Sequence, residues 1–115
     1  IVVMVDDKTR WLEAVAVKRA DTKTVVEVLV SRWFVVCGVP KEIVSDHTAV
    51  LDGVAAKKEW EKWGVQKVQV APYHQASNGL VERAIGSLVN VLRTMVKEEP
   101  RRWAELLPLA VAALR

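Results

Sequence analysis

Apolar and polar positions divide this chain into eight segments of distinct periodicity. Residues 1–6 begin Ile1-Val2-Val3-Met4-Val5, β-branched and apolar on both faces, which predicts a buried strand. Asp7-Lys8-Thr9-Arg10 predicts a turn. From Trp11 to Lys18 the side chains alternate, with Trp11, Glu13 and Val15 against Leu12, Ala14 and Ala16. That pattern predicts an antiparallel hairpin. Asp21-Thr22 supplies a helix N-cap, Val25, Val28, Leu29 and Trp33 repeat at helical spacing, and Gly38 and Pro40 stop the run. Val25, Val26, Val28 and Val30 are poor helix formers, so packing has to override propensity there.

Glu42 to Asp46 predicts a short strand with an aspartate at its C-terminal end. A helix is expected over 50–63, with Lys57, Lys58, Glu59, Glu61 and Lys62 on a wet face and Gly64 as its stop. Val65 to Val70 alternates as a strand, and Ala71 to Ser77, which contains Pro72, is a loop. A long helix then spans about 78–97, with Val81, Ala84, Leu88, Leu92 and Met95 as one apolar stripe. Gly86 interrupts it at a cost of about 1 kcal/mol relative to alanine. Pro100 opens a last helix in which Trp103, Leu106, Leu107 and Ala110 share a face. The order strand, strand, helix, strand, helix, strand, helix, helix indicates a mixed α/β sheet with helices on its faces.

Composition narrows the classes. The 115 residues are 51% hydrophobic and 27% charged, which is globular rather than disordered. Seventeen basic and 14 acidic residues leave +3, an excess that permits a polyanion partner without demanding one. The single cysteine, Cys37, excludes an internal disulfide framework and a multi-cysteine zinc site, and the end of an apolar helix suggests an inert buried thiol. No apolar run reaches about 18 residues, and no signal-peptide pattern opens the chain. Ile1 lies inside an apolar run and Leu106 to Arg115 reads as a helix without a cap, so the expectation is a fragment of a longer protein.

Two acidic positions are candidates for chemistry. Asp46 closes a strand, where catalytic groups of α/β sheets often lie, and Glu82 falls in the first turn of the long helix. Carboxylates converging at a sheet edge would hold Mg²⁺, a hard ion that takes oxygen ligands. The bland alternative is that each acid is a cap or a partner of a helix dipole.

Four segments make the chain resemble the catalytic core of retroelement integrases, particularly those of gypsy-type long-terminal-repeat retrotransposons and retroviruses. They are Val5 to Ala14; Gly38-Val39-Pro40-Lys41-Glu42-Ile43-Val44-Ser45-Asp46; Pro72-Tyr73-His74 with Ser77-Asn78-Gly79-Leu80-Val81-Glu82-Arg83; and Trp103 to Ala110. The 35 residues between Asp46 and Glu82 match the spacing of the family's second and third catalytic acids. The resemblance implies a ribonuclease-H-like fold. It also implies metal-dependent 3′ processing of element DNA followed by strand transfer into target DNA, with Asp46 and Glu82 as ligands of two Mg²⁺ (or Mn²⁺) ions. It further implies DNA and a homo-oligomer as partners, no membrane, an origin in a transposable element's polyprotein, and action at chromosomal DNA.

The family's first acid sits on a strand that would lie about 15–25 residues upstream of Ile1. On this reading 1–115 is a partial core lacking its first, central strand, inactive by itself and prone to aggregate at exposed strand edges. Asp6 matches a different family position; its expected role is to bond the turn at Thr9 or Arg10, with metal contact as the lesser reading. Thr48 and Leu51 stand where the family has a glycine and an aromatic, Lys8 replaces an aromatic, and Gln75-Ala76 replaces Pro-Gln. Thr48 would be strained at positive φ. These changes keep a second reading open: an inactive or host-adopted module that binds DNA or a partner. A DNA transposase is a third reading, disfavoured by the retroelement-like segments.

The remaining candidates each carry two readings. His74 contacts DNA or makes a loop hydrogen bond. Asn78 and Gly79 fit a helix start near phosphate, and Gly79 equally fits packing. Arg83 binds phosphate or forms a surface ion pair. Lys57, Lys58 and Lys62 are a solvated face or phosphate contacts. Trp103 and Leu107 are subunit-interface candidates by the resemblance and core residues by their periodicity. Trp11, Trp33, Trp60 and Trp63 read as core or edge aromatics.

Overall fold

The hairpin forms where alternation places it. Strand β1 (Val2–Val5) pairs antiparallel with β2 (Leu12–Val15), with Val2 opposite Val15 and Val5 opposite Leu12. This is a computed structural model; it describes residues 1–69 and 75–115, and only the backbone of 75–78. The chain divides into two units, residues 1–16 with 79–115, and residues 17–78.

In the first unit the connecting turn is built on one carboxylate. Asp6 Oδ2 accepts from the Thr9 amide at 2.8 Å and the Thr9 hydroxyl at 2.7 Å. The Asp6 amide donates to Trp11 O and the Arg10 amide to Asp6 O, each at 2.9 Å, with Arg10 in the left-handed region at φ 65°. Alternation along β2 buries Leu12 and Ala14 against helix α5 (Gln75–Met95) and helix α6 (Trp103–Leu114). The core there is Leu12, Ala14, Leu88, Leu92, Leu107, Ala110 and Val111, with Val3 and Val5 of β1 packed against it. A 3₁₀ turn (Pro100–Arg102) leads into α6, which carries Pro108 in its interior. Arg115 clamps α6 to β2: its Nε donates to Leu12 O at 2.9 Å and Nη2 to Glu13 Oε2 at 2.8 Å. Its guanidinium lies 4.1 Å from the centre of the Trp11 ring.

In the second unit helix α1 (Thr22–Leu29) starts at Asp21, whose Oδ1 accepts from the Thr24 amide at 2.8 Å. Val25, Val26, Val28 and Leu29 are buried, so packing does override propensity. The helix expected to run unbroken to Gly38 passes instead through a π-helical turn (Val30–Phe34) before α2 (Val35–Cys37). The Ser31 hydroxyl donates to Glu27 O there, a side-chain bond that loosens a regular helical ladder. Strand β3 (Glu42–Ser45) pairs in parallel with β4 (Gln66–Gln69), Ile43 opposite Lys67 and Ser45 opposite Gln69.

The single helix expected over 50–63 is two, α3 (Ala49–Asp52) and α4 (Val54–Trp63). They part at Gly53, whose backbone approaches so closely that an added Cβ would lie 2.6 Å from Ala49 O. Gly64 ends α4 in the left-handed conformation, φ 70°, and the Val65 amide then reaches Trp60 O at 2.9 Å. Trp60 is buried and donates its indole N–H to Leu51 O at 2.8 Å, tying α4 to α3.

Among the described residues the strands form two two-stranded sheets, one antiparallel and one parallel. The mixed α/β character is the expected one. The burial of β1 is not: Val2 to Val5 are half-buried, because β1 meets a strand on one edge alone among the described residues. Cys37, expected to be buried, is exposed with Val35 and Val36 beyond the π turn. No helix among the described residues is long and apolar enough to cross a membrane.

Candidate functional site

Asp46 follows the last residue of β3 and is exposed. Parallel pairing with β4 fixes the strand up to Ser45, whose hydroxyl donates to Asp46 O at 2.8 Å. The next turn is held from the other side. Thr48 caps α3, its hydroxyl accepting from the Leu51 amide at 3.2 Å, and the Thr48 amide donates to Asp52 Oδ2 at 3.0 Å. Thr48 sits at φ −143°, extended backbone, so the strain expected from a threonine in place of glycine does not arise.

Asp52 is the hub of this turn. Its Oδ1 takes Lys67 Nζ at 3.2 Å, and Oδ2 lies 3.3 Å from His47 Nδ1. The Lys67 side chain is 6% exposed and that of Asp52 14%, whereas His47 is at the surface. The Thr48 amide, then Lys67 and His47, hold the Asp52 carboxyl below the usual carboxylate range. The sequence reading missed this group. Its signal was parity: along β4, Lys67 shares a face with buried Val65, and a lysine there needs a counter-charge.

Glu82 is exposed on α5. It was expected in the first turn, but the helix begins at Gln75, so Glu82 is its eighth residue. Macrodipole stabilisation falls off within the first turn, which removes that bland explanation of the acid. Asn78 and Gly79 likewise lie inside α5 rather than at its start. Gly79 is the fifth residue, beyond the amides that a helix start leaves open. A Cβ built on Gly79 would meet Arg83 Nη1 at 3.4 Å, so the exposed Arg83 folds back over this glycine, which favours its packing role. His74 lies outside the described residues.

Asp6 spends one carboxylate oxygen on Thr9, the turn-building role expected of it, and Thr9 holds its carboxyl below the ordinary value. The two interface candidates separate. Leu107 is 1% exposed and belongs to the core of its unit, so it offers no interface surface; Trp103 is 38% exposed despite sharing a helix with that core. Lys57, Lys58 and Lys62 form the exposed face expected of them. A groove of about 570 Å³ beside α1 and α4 is lined by Val26, Val30, Ala55 and Trp63 among others, and contains none of the candidate acids. Among the described residues no three His, Cys, Asp or Glu side chains form a metal-holding group.

No protein-family model matches the chain. It is 31% identical over 115 residues to the Pro-Pol polyprotein of simian foamy virus type 3 (strain LK3), covering 99% of this chain and 10% of that protein. It is 26% identical over 118 residues to the Gag-Pol polyprotein of walleye dermal sarcoma virus, covering 98% and 6%. The chain thus spans a tenth or less of these relatives. Among solved structures, a chain of the simian T-cell lymphotropic virus intasome superposes with TM-score 0.79 and 22% identity over 95% of this chain and 39% of that one. The chain has the fold of a retroviral integrase catalytic core. The magnesium complex of the HTLV-2 integrase core gives TM-score 0.77 at 16% identity over 95% of this chain and 68% of that one. The BIV integrase core gives 0.77 at 21% over 97% and 72%. This integrase-core fold is the ribonuclease-H-like architecture implied by the sequence motifs.

Proposed function

We propose that this chain is part of the catalytic core of an integrase from a gypsy-type or related retroelement. In the complete protein it catalyses Mg²⁺-dependent 3′ processing and strand transfer of element DNA. The observation that carries the reading is the pair Asp46 and Glu82, 35 residues apart within matching motifs, on a chain with the integrase-core fold. Both are exposed carboxylates, one at the end of β3 and one on α5. Their oxygens are the hard donors that Mg²⁺ takes, so the donor chemistry fits. Ions held by these carboxylates would supply Lewis-acid activation of the attacking water or 3′-hydroxyl and stabilisation of the leaving oxygen. Asp46 is offered from the end of a paired strand and Glu82 from a helix. Arg83, one residue on from Glu82, supplies a cation for a neighbouring DNA phosphate, with His74 and Asn78 contacting the same strand. The assembly is a homo-oligomer on DNA, and Trp103, exposed at the start of α6, is offered to a partner subunit.

The test is made in the full-length reading frame that contains this segment. Asp46→Asn and Glu82→Gln each lower 3′ processing and strand transfer roughly a hundredfold or more, since metal stabilisation of the reacting phosphate is worth several kcal/mol. DNA binding persists in both variants. Normal DNA joining by the Glu82→Gln protein overturns the site. A second reading, an inactive module that retains DNA or partner binding, is favoured by Thr48 and Leu51 in place of the family's glycine and aromatic. DNA binding without cleavage in Mg²⁺ by the full-length protein selects it.

A further inference from the structure

Asp46 sits between two anchors that belong to the same unit. On one side is the β3–β4 ladder; on the other is the turn His47–Thr48, bonded to Asp52. Asp52 is in turn bonded through its second oxygen to Lys67, a residue of β4. Lys67 Nζ also lies 3.4 Å from Val68 O, so its ammonium is enclosed by Asp52 and the strand it comes from. The loop leaving Asp46 is therefore tied back to the strand that pairs with the one entering it.

We infer that the Asp52–Lys67 pair is a positioning device for Asp46, fixing the turn through which the Asp46 carboxylate is aimed. The inference rests on the metal-ligand reading of Asp46 given above. Three features carry it beyond a stability role. The pair joins α3, which the Asp46 loop enters, to β4, the strand paired with the one the loop leaves. Its acid uses both oxygens, one on the loop amide and one on the ammonium. Its lysine is almost fully withdrawn from solvent, where the geometry of a paired ion is tightly held. The Thr48 amide, in extended backbone, is spent on Asp52 rather than left open.

The experiment measures Mn²⁺ affinity by paramagnetic broadening of backbone amides, together with urea unfolding. It uses the full-length protein and its Lys67→Met, Lys67→Arg, Asp52→Asn and Asp46→Asn variants. The expected result is that Lys67→Met and Asp52→Asn each weaken Mn²⁺ binding about tenfold, the lower end for residues that orient metal ligands. A Lys67→Met, Asp52→Asn double variant, measured alongside, binds no more weakly than either single one, because both remove the same tie. Lys67→Arg, which keeps the charge, restores most of the affinity. Unchanged affinity in Lys67→Met and Asp52→Asn, with Asp46→Asn impaired, overturns the positioning role alone. Unchanged affinity in Asp46→Asn overturns the metal-ligand reading itself. If Lys67→Met does not fold, Asp52→Asn carries the test, since its amide oxygen still accepts from Thr48. Loss of the fold in both makes the pair a stability element and overturns the inference.

Discussion

Single residues in this chain act through what their neighbours leave no room for. Gly53 and Gly86 show it with opposite signs. At Gly53 an alanine Cβ would fall 2.6 Å from the Ala49 carbonyl oxygen, which is backbone and yields little. Gly53→Ala is expected to destabilise the second unit by about 1–3 kcal/mol, the usual range for overpacking. At Gly86 nothing lies within 4 Å of the added Cβ, and the position is an exposed helix interior. Gly86→Ala should stabilise by about 1 kcal/mol through helix propensity. Urea midpoints of the two variants check both, and equal signs would refute the argument. Asp6 gives a pH prediction at the same scale. Thr9 lowers its carboxyl pKa, so the turn it builds is supported above the ordinary aspartate pKa near 3.9 and loses that support as pH falls through the lowered value. A carboxyl ¹³C titration of Asp6 should show a midpoint below the ordinary one, and Thr9→Ala should move it back up.

Elements were legible to the degree that local pattern alone decides them. Alternation in 11–16 placed β2 and sorted its residues onto two faces, of which the structure buries the one that carries Leu12 and Ala14. Asp21 announced α1 and Gly64 closed α4 by capping chemistry that needs no tertiary partner. The π turn at Val30–Phe34 was not legible, since an i→i+5 bond has no residue signature distinct from an ordinary helix. The start of α5 was missed by three residues, and with it the position of Glu82, because Gln75-Ala76-Ser77 lacks the cap of a strong N-terminus. Of the candidate site, Asp46 and Glu82 were proposed through the resemblance of the motifs that hold them, whereas the Asp52–Lys67 contact follows from the parallel pairing that brings 67 beside 43. The clamp at Arg115 was equally hidden, 103 residues from Leu12 in sequence. Arg115→Ala is expected to cost about 1–2 kcal/mol, combining a charge-assisted bond, an ion pair and a cation–π contact, read as a lower melting temperature of the chain.

For the molecule as a whole, the decisive feature is that its strands are shared between two two-stranded sheets, each of which has open edges among the described residues. Two strands are marginal by themselves; here each pair is supported by helices, α5 and α6 for one and α4 for the other. In the antiparallel pair, successive amides of β1 alternate between pointing at β2 and pointing away from it. Hydrogen exchange measured residue by residue on the chain should therefore show protection alternating along Val2 to Val5, while the amides around Leu88 and Leu92 in the helical core exchange slowest. Continuous protection across all four residues would mean that another strand occupies the free edge, from a second copy or from sequence flanking the chain. A dilution series separates these sources. Protection that fades as the chain is diluted belongs to a second copy, because pairing between molecules follows mass action. Protection that appears in the full-length protein and survives dilution belongs to the flanking sequence. Exposed apolar side chains make the first outcome a real competitor: Ile1 is 51% exposed at the start of β1. Ile1→Lys places a charge beside the open edge, a change that discourages pairing between copies without touching the β1–β2 ladder. If the alternating pattern returns in that variant, edge pairing between copies is the cause of the continuous protection.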